Sequence, residues 1–480
     1  MKNIIKAFIS VLSLYIGLSS CEKPKETPET INGVWKSLGS GWVLQIQDST
    51  EYTLFDVTKI SCLENRTAEL SEMIPDLQLQ NDTLSLIKGV MTYRFVRDEK
   101  ALENCSTEYS TEQRKNTLFN FEIFAETVSE HYAFFELNQI QWDSLYTAHK
   151  NKVVKDSSEV NLYQVIDETL ALLNDNHAYL EATDDLYEAM EAQETEEVLE
   201  ESSEERLPKY GDLQIAGMVA KNHLEEELTE GSKLIRWGKM KENLGYVQIM
   251  TMWLHADLDI PQTLIDQNGY VDAYVETFHN MYEGDYIKRE AKAVTNIMEK
   301  VMNDLRNVDA IVLDVRFNGG GQDAVSYAIL KHFVGEKAHV ANQKLRYGKQ
   351  FSSPLKLFLE GGTKPFLKPV YVLTSQQTGS AAEAFSMATL SLQHFKRIGA
   401  ATSGAMSTAL EKTLPNGWSF AISNEINLDL EGNVYENIGI PVDYDLQYPK
   451  ERQDFFRQVA QNLEADKETI LSAIEALKQP

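Results

Sequence analysis

Two hydrophobic periods divide this chain. Between residues 31 and 97 apolar and polar positions alternate: Gly33-Val34-Trp35, Trp42 through Gln47, Leu77-Gln78-Leu79, Leu84-Ser85-Leu86 and Met91-Thr92-Tyr93-Arg94-Phe95. Asn81-Asp82 and Lys88-Gly89 supply turns, so the segment predicts a small all-β module. No ionisable cluster or Gly-rich loop marks a site there, and the module reads as a spacer or an interaction unit. From residue 117 the period becomes helical. Phe121, Phe124, Ala125, Val128, Tyr132 and Phe135 share one stripe; Leu162, Val165, Ile166, Leu170 and Leu173 share another. Both read as core faces. The second helix stops at Asn174-Asp175-Asn176, and His177 stands in the loop before a strand beginning Ala178-Tyr179-Leu180. A histidine there can cap carbonyls as readily as carry out chemistry.

Short apolar runs follow. Leu244-Gly245-Tyr246-Val247-Gln248-Ile249 predicts a strand, and residues 274–305 predict one or two helices. Ala310-Ile311-Val312-Leu313 predicts a strand that enters a charged, Gly-rich loop, with a helix over 324–333 behind it. The glycines at 319, 320 and 321 would let backbone N–H groups converge on an anion; a tight βα turn needs them equally. Val370-Tyr371-Val372-Leu373-Thr374 predicts a buried strand, and after a polar loop a helix opens at Ser380-Ala381-Ala382-Glu383. A serine at such a junction has its hydroxyl at the positive end of a helix dipole, where an oxyanion is stabilised. The spacing Ser380-x-x-Glu383 is also that of a capping box. Leu414-Pro415-Asn416-Gly417-Trp418 predicts a hairpin, Glu431-Gly432-Asn433 a turn, and residues 452–478 an amphipathic terminal helix.

Composition adds limits. The 480 residues, 43% apolar, give room for two or three domains. A net charge of −28 excludes nucleic acid and attraction to anionic lipid as themes. Residues 184–205 are acidic and low in complexity, a solvated helix or a mobile insert. At the N-terminus Lys2 and Lys6 precede an apolar run too short to span a bilayer, ending in Leu18-Ser19-Ser20-Cys21. That ending resembles a bacterial lipobox, which implies lipidation of Cys21 and a cell-envelope address, on the periplasmic face or the surface. Cys62 and Cys105 would then lie where a disulfide is possible, two buried thiols being the alternative. Nothing in the spacing points to a metal or another cofactor.

Three separated stretches share one resemblance. Asp314-Val315-Arg316-Phe317-Asn318-Gly319-Gly320-Gly321 resembles the D-x-R-x-N-x-G-G motif of peptidase family S41, which holds the C-terminal processing proteases and the tricorn core. Thr378-Gly379-Ser380-Ala381-Ala382-Glu383 is similar to its T-x-S-A-x-E nucleophile segment. Tyr435-Glu436 with Gly439-Ile440-Pro441-Val442-Asp443 looks like its E-x-G-x-x-P-D ending, with one residue more between Glu and Gly. The resemblance implies an α/β, crotonase-like (ClpP/crotonase) core with Ser380 as nucleophile and backbone N–H groups of Gly320 and Ala381 as oxyanion hole. The family's T-x-G-K segment, the source of its lysine base, reads Thr402-Ser403-Gly404-Ala405 here. A PDZ domain has no clear counterpart between residues 180 and 244. Both departures point to the tricorn-like branch, whose D-x-H segment matches Asp175-Asn176-His177 and makes His177 the base, with Glu436 orienting it or tuning the site.

The expected organisation is a signal peptide at 1–20, a tether at 21–30 and the β module at 31–100. A helical subdomain at 110–182, the acidic insert at 183–208, a catalytic core at 209–450 and a C-terminal helix at 451–480 follow. The expected function is a serine endopeptidase acting on peptides or unfolded protein, without cofactor. The alternative is a non-catalytic protein that keeps the fold and binds a peptide or an apolar ligand.

Overall fold

The computed structural model describes residues 30–103, 105, 108–194, 207–281 and 285–478. The signal peptide, Cys21, the tether as far as residue 29 and residues 195–206 of the acidic insert lie outside the described residues. Among the described residues no helix is long and apolar enough to cross a membrane.

The core is a seven-stranded sheet. Its order is Tyr444–Asp445, Phe395–Gly399, Val370–Thr374, Ala310–Asp314, Leu244–Ile249, Ile235–Met240 and Glu226–Glu227. The first five are mutually parallel; Ile235–Met240 runs antiparallel to them, and Glu226–Glu227 antiparallel to Ile235–Met240. Every residue of Ala310–Asp314 and Val370–Thr374 is buried, the reason these runs are apolar up to their last residues, Asp314 and Thr374: parallel strands with helices on both faces have no wet side. Ile311, Leu313, Val370 and Val372 face the helix Tyr286–Asp304 through Val294, Met298 and Val301. Val312, Tyr371 and Leu373 face Ile215 and Val219 of Asp212–His223 and Phe455 and Ile470 near the C-terminus. The terminal segment is two helices, Arg452–Gln461 and Leu463–Lys478, both packed into the core rather than appended to it.

The helical stretch predicted over 274–305 is two helices, Tyr270–Met281 and Tyr286–Asp304. The helical stripes fall on Thr117–His131 and Glu159–Leu173. Between them lies Trp142–Lys155, which buries only His149 and Val153 and so lacks a readable stripe.

Seven antiparallel strands form the N-terminal module, in the order Cys62–Glu69, Glu51–Val57, Trp42–Gln47, Gly33–Ser37, Met91–Arg97, Thr83–Lys88, Leu77–Gln80. Trp35, Leu44, Ile46, Leu84 and Phe95 fill its core. A disulfide joins Cys62 to Cys105, with Cα atoms 5.1 Å apart. The module is docked, not spaced away. Lys412 of the catalytic half forms a buried ion pair with Asp56. Gly39 O accepts hydrogen bonds from Asn424 Nδ2 at 3.1 Å and His131 Nδ1 at 3.0 Å. The tip of the last hairpin reaches the core. A Cβ on Gly89 would lie 2.9 Å from Ala324 Cβ, so glycine permits that approach.

Candidate active site

Ser380 follows the strand Val370–Thr374 and is the N-cap of the helix Ala381–Ala388. Its backbone is at φ 52°, ψ −122°, a left-handed conformation for a residue with a Cβ, and such positions store about 1–3 kcal/mol. Two hydrogen bonds maintain it: Gly379 N–H to Asn318 O at 3.1 Å and Ser380 N–H to Ala405 O at 3.0 Å. The Ser380 hydroxyl makes no capping bond. The capping-box reading therefore gives way: the hydroxyl is free for chemistry, and Glu383 points elsewhere.

His177 comes from a distant part of the chain. The strand after it, Tyr179–Glu181, pairs antiparallel with Ser419–Ser423. Asp175 fastens the loop: Oδ1 accepts from His177 N–H at 3.0 Å and Ser423 Oγ–H at 2.7 Å, and Oδ2 from Ser423 N–H at 2.7 Å. The result puts His177 Nε2 3.4 Å from Ser380 Oγ, a length common for nucleophile–base pairs before substrate binds. Burial lowers the imidazole pKa against an opposing pull from Asp175, which leaves the ring neutral and basic near pH 7. Nδ1 is buried with no hydrogen-bond partner among the described residues.

Glu436 is buried, but it is not hydrogen-bonded to the imidazole. Oε2 accepts the Met406 N–H at 3.0 Å, and Oε1 has no partner among the described residues. Burial, with Glu383 and Asp175 adding negative potential, pushes its pKa up to about 8. That shift favours the neutral carboxyl, and with no hydrogen bond to the ring Glu436 does not orient His177 here.

The two expected oxyanion donors differ. Ala381 N–H, first in its helix, makes no hydrogen bond among the described residues. Gly320 abuts Ser380: a Cβ there would lie 2.7 Å from Ser380 Cβ and 3.0 Å from Ala381 N, at φ +116°. Its N–H, however, donates to Asn318 Oδ1 at 2.9 Å. Asn318 in turn donates from Nδ2 to Ile249 O at 3.0 Å.

Two further residues carry roles that sequence reasoning missed. Glu383 accepts four hydrogen bonds from one loop: Thr402 Oγ1–H at 2.6 Å, Ser403 Oγ–H at 2.9 Å, Gly404 N–H at 2.7 Å and Ala405 N–H at 2.6 Å. Where the family places its lysine, this chain has a carboxylate-clamped loop whose Ala405 carbonyl holds the Ser380 N–H. The signal was Glu383 itself, but its three-residue distance from Ser380 suggested a cap. Arg316 is fully buried and pairs with Asp314 at 2.7 Å and Asp466 at 2.9 Å, and donates to Tyr448 Oη at 2.8 Å. The charged pair of the first motif thus ties the central strand to the last helix instead of facing substrate.

A family model for peptidase family S41 matches residues 243–446. Residues 243–446 are an S41 peptidase domain. Its S41 core has the fold of a Parabacteroides merdae protein provisionally described as a peptidase, at 20% identity and a TM-score of 0.50, covering 74% of this chain and 98% of that one. Mature CPAF, in a structure with lactacystin, is similar at 12% identity and a TM-score of 0.50, over 76% of this chain and 100% of its own. The S41 core contains Ser380, Gly320, Ala381 and Glu436; His177 lies before it and is delivered by the strand pairing described above.

Proposed function

We propose that this S41 peptidase is a serine endopeptidase in which Ser380 is the nucleophile and His177 its general base. One observation carries the reading: an imidazole nitrogen 3.4 Å from a serine hydroxyl 203 positions away, at a helix N-terminus. Ser380 Oγ adds to the peptide carbonyl carbon as its proton passes to His177 Nε2. The carbonyl oxygen, now anionic, meets the Ala381 N–H and, once it turns from Asn318 Oδ1, the Gly320 N–H. Nε2 returns the proton to the leaving amine, and water hydrolyses the ester by the same route reversed. Substrates are peptides or unfolded protein; Ser380 and His177 line a cleft of about 280 Å³, which an extended chain can enter.

The envelope address rests on Lys2, Lys6 and the Leu18-Ser19-Ser20-Cys21 segment. Cys21→Ala should release the protein from membranes while leaving turnover intact. A fluorophosphonate probe should label the wild type covalently, and Ser380→Ala should abolish labelling. Equal labelling of both proteins would remove Ser380 from the mechanism; no labelling and no turnover in the wild type would favour a ligand-binding protein.

A further inference from the structure

The cleft in front of Ser380 is bounded by two parts of the chain that are far apart in sequence. They are the module hairpin at Lys88, Gly89 and Met91 and the start of the helix Asp323–Leu330, which meet where Gly89 packs on Ala324. Its charges are unbalanced. Lys88 Nζ is held by Asp76 Oδ2 at 2.8 Å, and Lys288 is held by the same carboxylate. Asp323 lines the cleft half-buried, with no ion pair or hydrogen bond among the described residues. Behind it Glu425 is buried, its Oε2 accepting from Gln343 Nε2 at 3.1 Å.

A half-buried carboxylate without a partner has lost hydration and gained nothing in return, and a cation brought beside it restores the balance. The start of a helix favours an aspartate electrostatically, but a dipole leaves its oxygens unpaired. We propose that Asp323 is a specificity determinant: it makes the peptidase prefer substrates carrying a lysine or arginine side chain beside the scissile bond. The net charge of −28 draws such substrates in. The inference rests on Ser380 being the nucleophile. Tyr327 and Glu425 lie close enough to Asp323 to sense its charge, and Lys88 and His177 share its cleft. Burial raises the Asp323 pKa to about 6, so the carboxylate is charged at pH 8.

The test is a fluorogenic peptide series in which lysine is moved one residue at a time, each peptide paired with its norleucine counterpart, at pH 8. At one position the wild type should prefer lysine by at least about tenfold in kcat/KM, the scale of a hydrogen bond to a charged group. Asp323→Asn should bring that ratio near one while norleucine peptides are cleaved as before; Asp323→Lys should favour glutamate instead. In the wild type the ratio should shrink from pH 8 to pH 5, a readout needing no variant and in which the titration of His177 cancels. Ser380-dependent cleavage with no lysine preference, or a preference unchanged in Asp323→Asn, overturns this inference alone. Absence of any Ser380-dependent cleavage overturns it together with the mechanism.

Discussion

Glu436→Gln tests the electrostatics of the site. The carboxyl is 4% exposed, with one oxygen on the Met406 N–H and the other unpartnered. Burial above all, then the nearby carboxylates, lifts its pKa from 4.5 to about 8. Each tenfold in proton affinity is worth about 1.4 kcal/mol, so holding Glu436 ionised in the folded chain costs about 5 kcal/mol. The raised value fixes the sign. The neutral form is the one the fold favours, so its contribution is complete below 4.5 and is lost as pH rises through about 8. Glutamine cannot ionise. It keeps an acceptor for Met406 and places an NH2 where Oε1 has no partner, at a cost of about 1–3 kcal/mol. The variant should therefore melt below the parent at pH 5 and above it at pH 9, the curves crossing between about pH 5 and 7. Thermal unfolding followed by circular dichroism, with both proteins in a Ser380→Ala background to prevent self-cleavage, measures this. A gap that stays constant from pH 5 to pH 9 would refute the reasoning.

Other predictions follow from the same geometry. Burial lowers the His177 pKa, so kcat/KM should rise with pH through a midpoint below the usual 6.5, and His177→Ala should lose about 10²–10⁴ in rate; the same limb surviving in His177→Ala would exclude His177 as the base. Gly320→Ala puts a methyl 2.7 Å from Ser380 Cβ and should cut kcat at least about 100-fold with a cooperative melt retained, and full activity would detach the glycine loop from catalysis. The Cys62–Cys105 bridge spans 43 residues, for which chain entropy gives about 4 kcal/mol. A reductant should therefore lower the melting temperature of the wild type and not of Cys62→Ser, and an unmoved wild-type melt would show that the bridge does not stabilise the module.

The sequence by itself determined the pieces. Continuous apolar runs at 310–313 and 370–373 read as strands because a doubly covered parallel sheet buries side chains on both faces. Ser380 stood out because a strand, a polar loop and a small-residue helix follow one another there, and the Gly319-Gly320-Gly321 run marked a tight loop whose crowding against Ser380 the fold then showed. Tertiary structure decided the assembly. The partnership of His177 with Ser380 depends on strand pairing between residues 179–181 and 419–421, a contact no local period encodes. Glu383 looks like a cap in sequence and becomes a loop clamp only when residues 402–405 fold over it. The charge state of Glu436 and the unpaired carboxylate of Asp323 depend on what covers them. For Asp323 part of that cover is a hairpin from a module whose own sequence carries no catalytic signal. Covalent neighbours fix backbone preference and periodicity; burial, and with it electrostatics, is a property of residues that meet only in the folded chain.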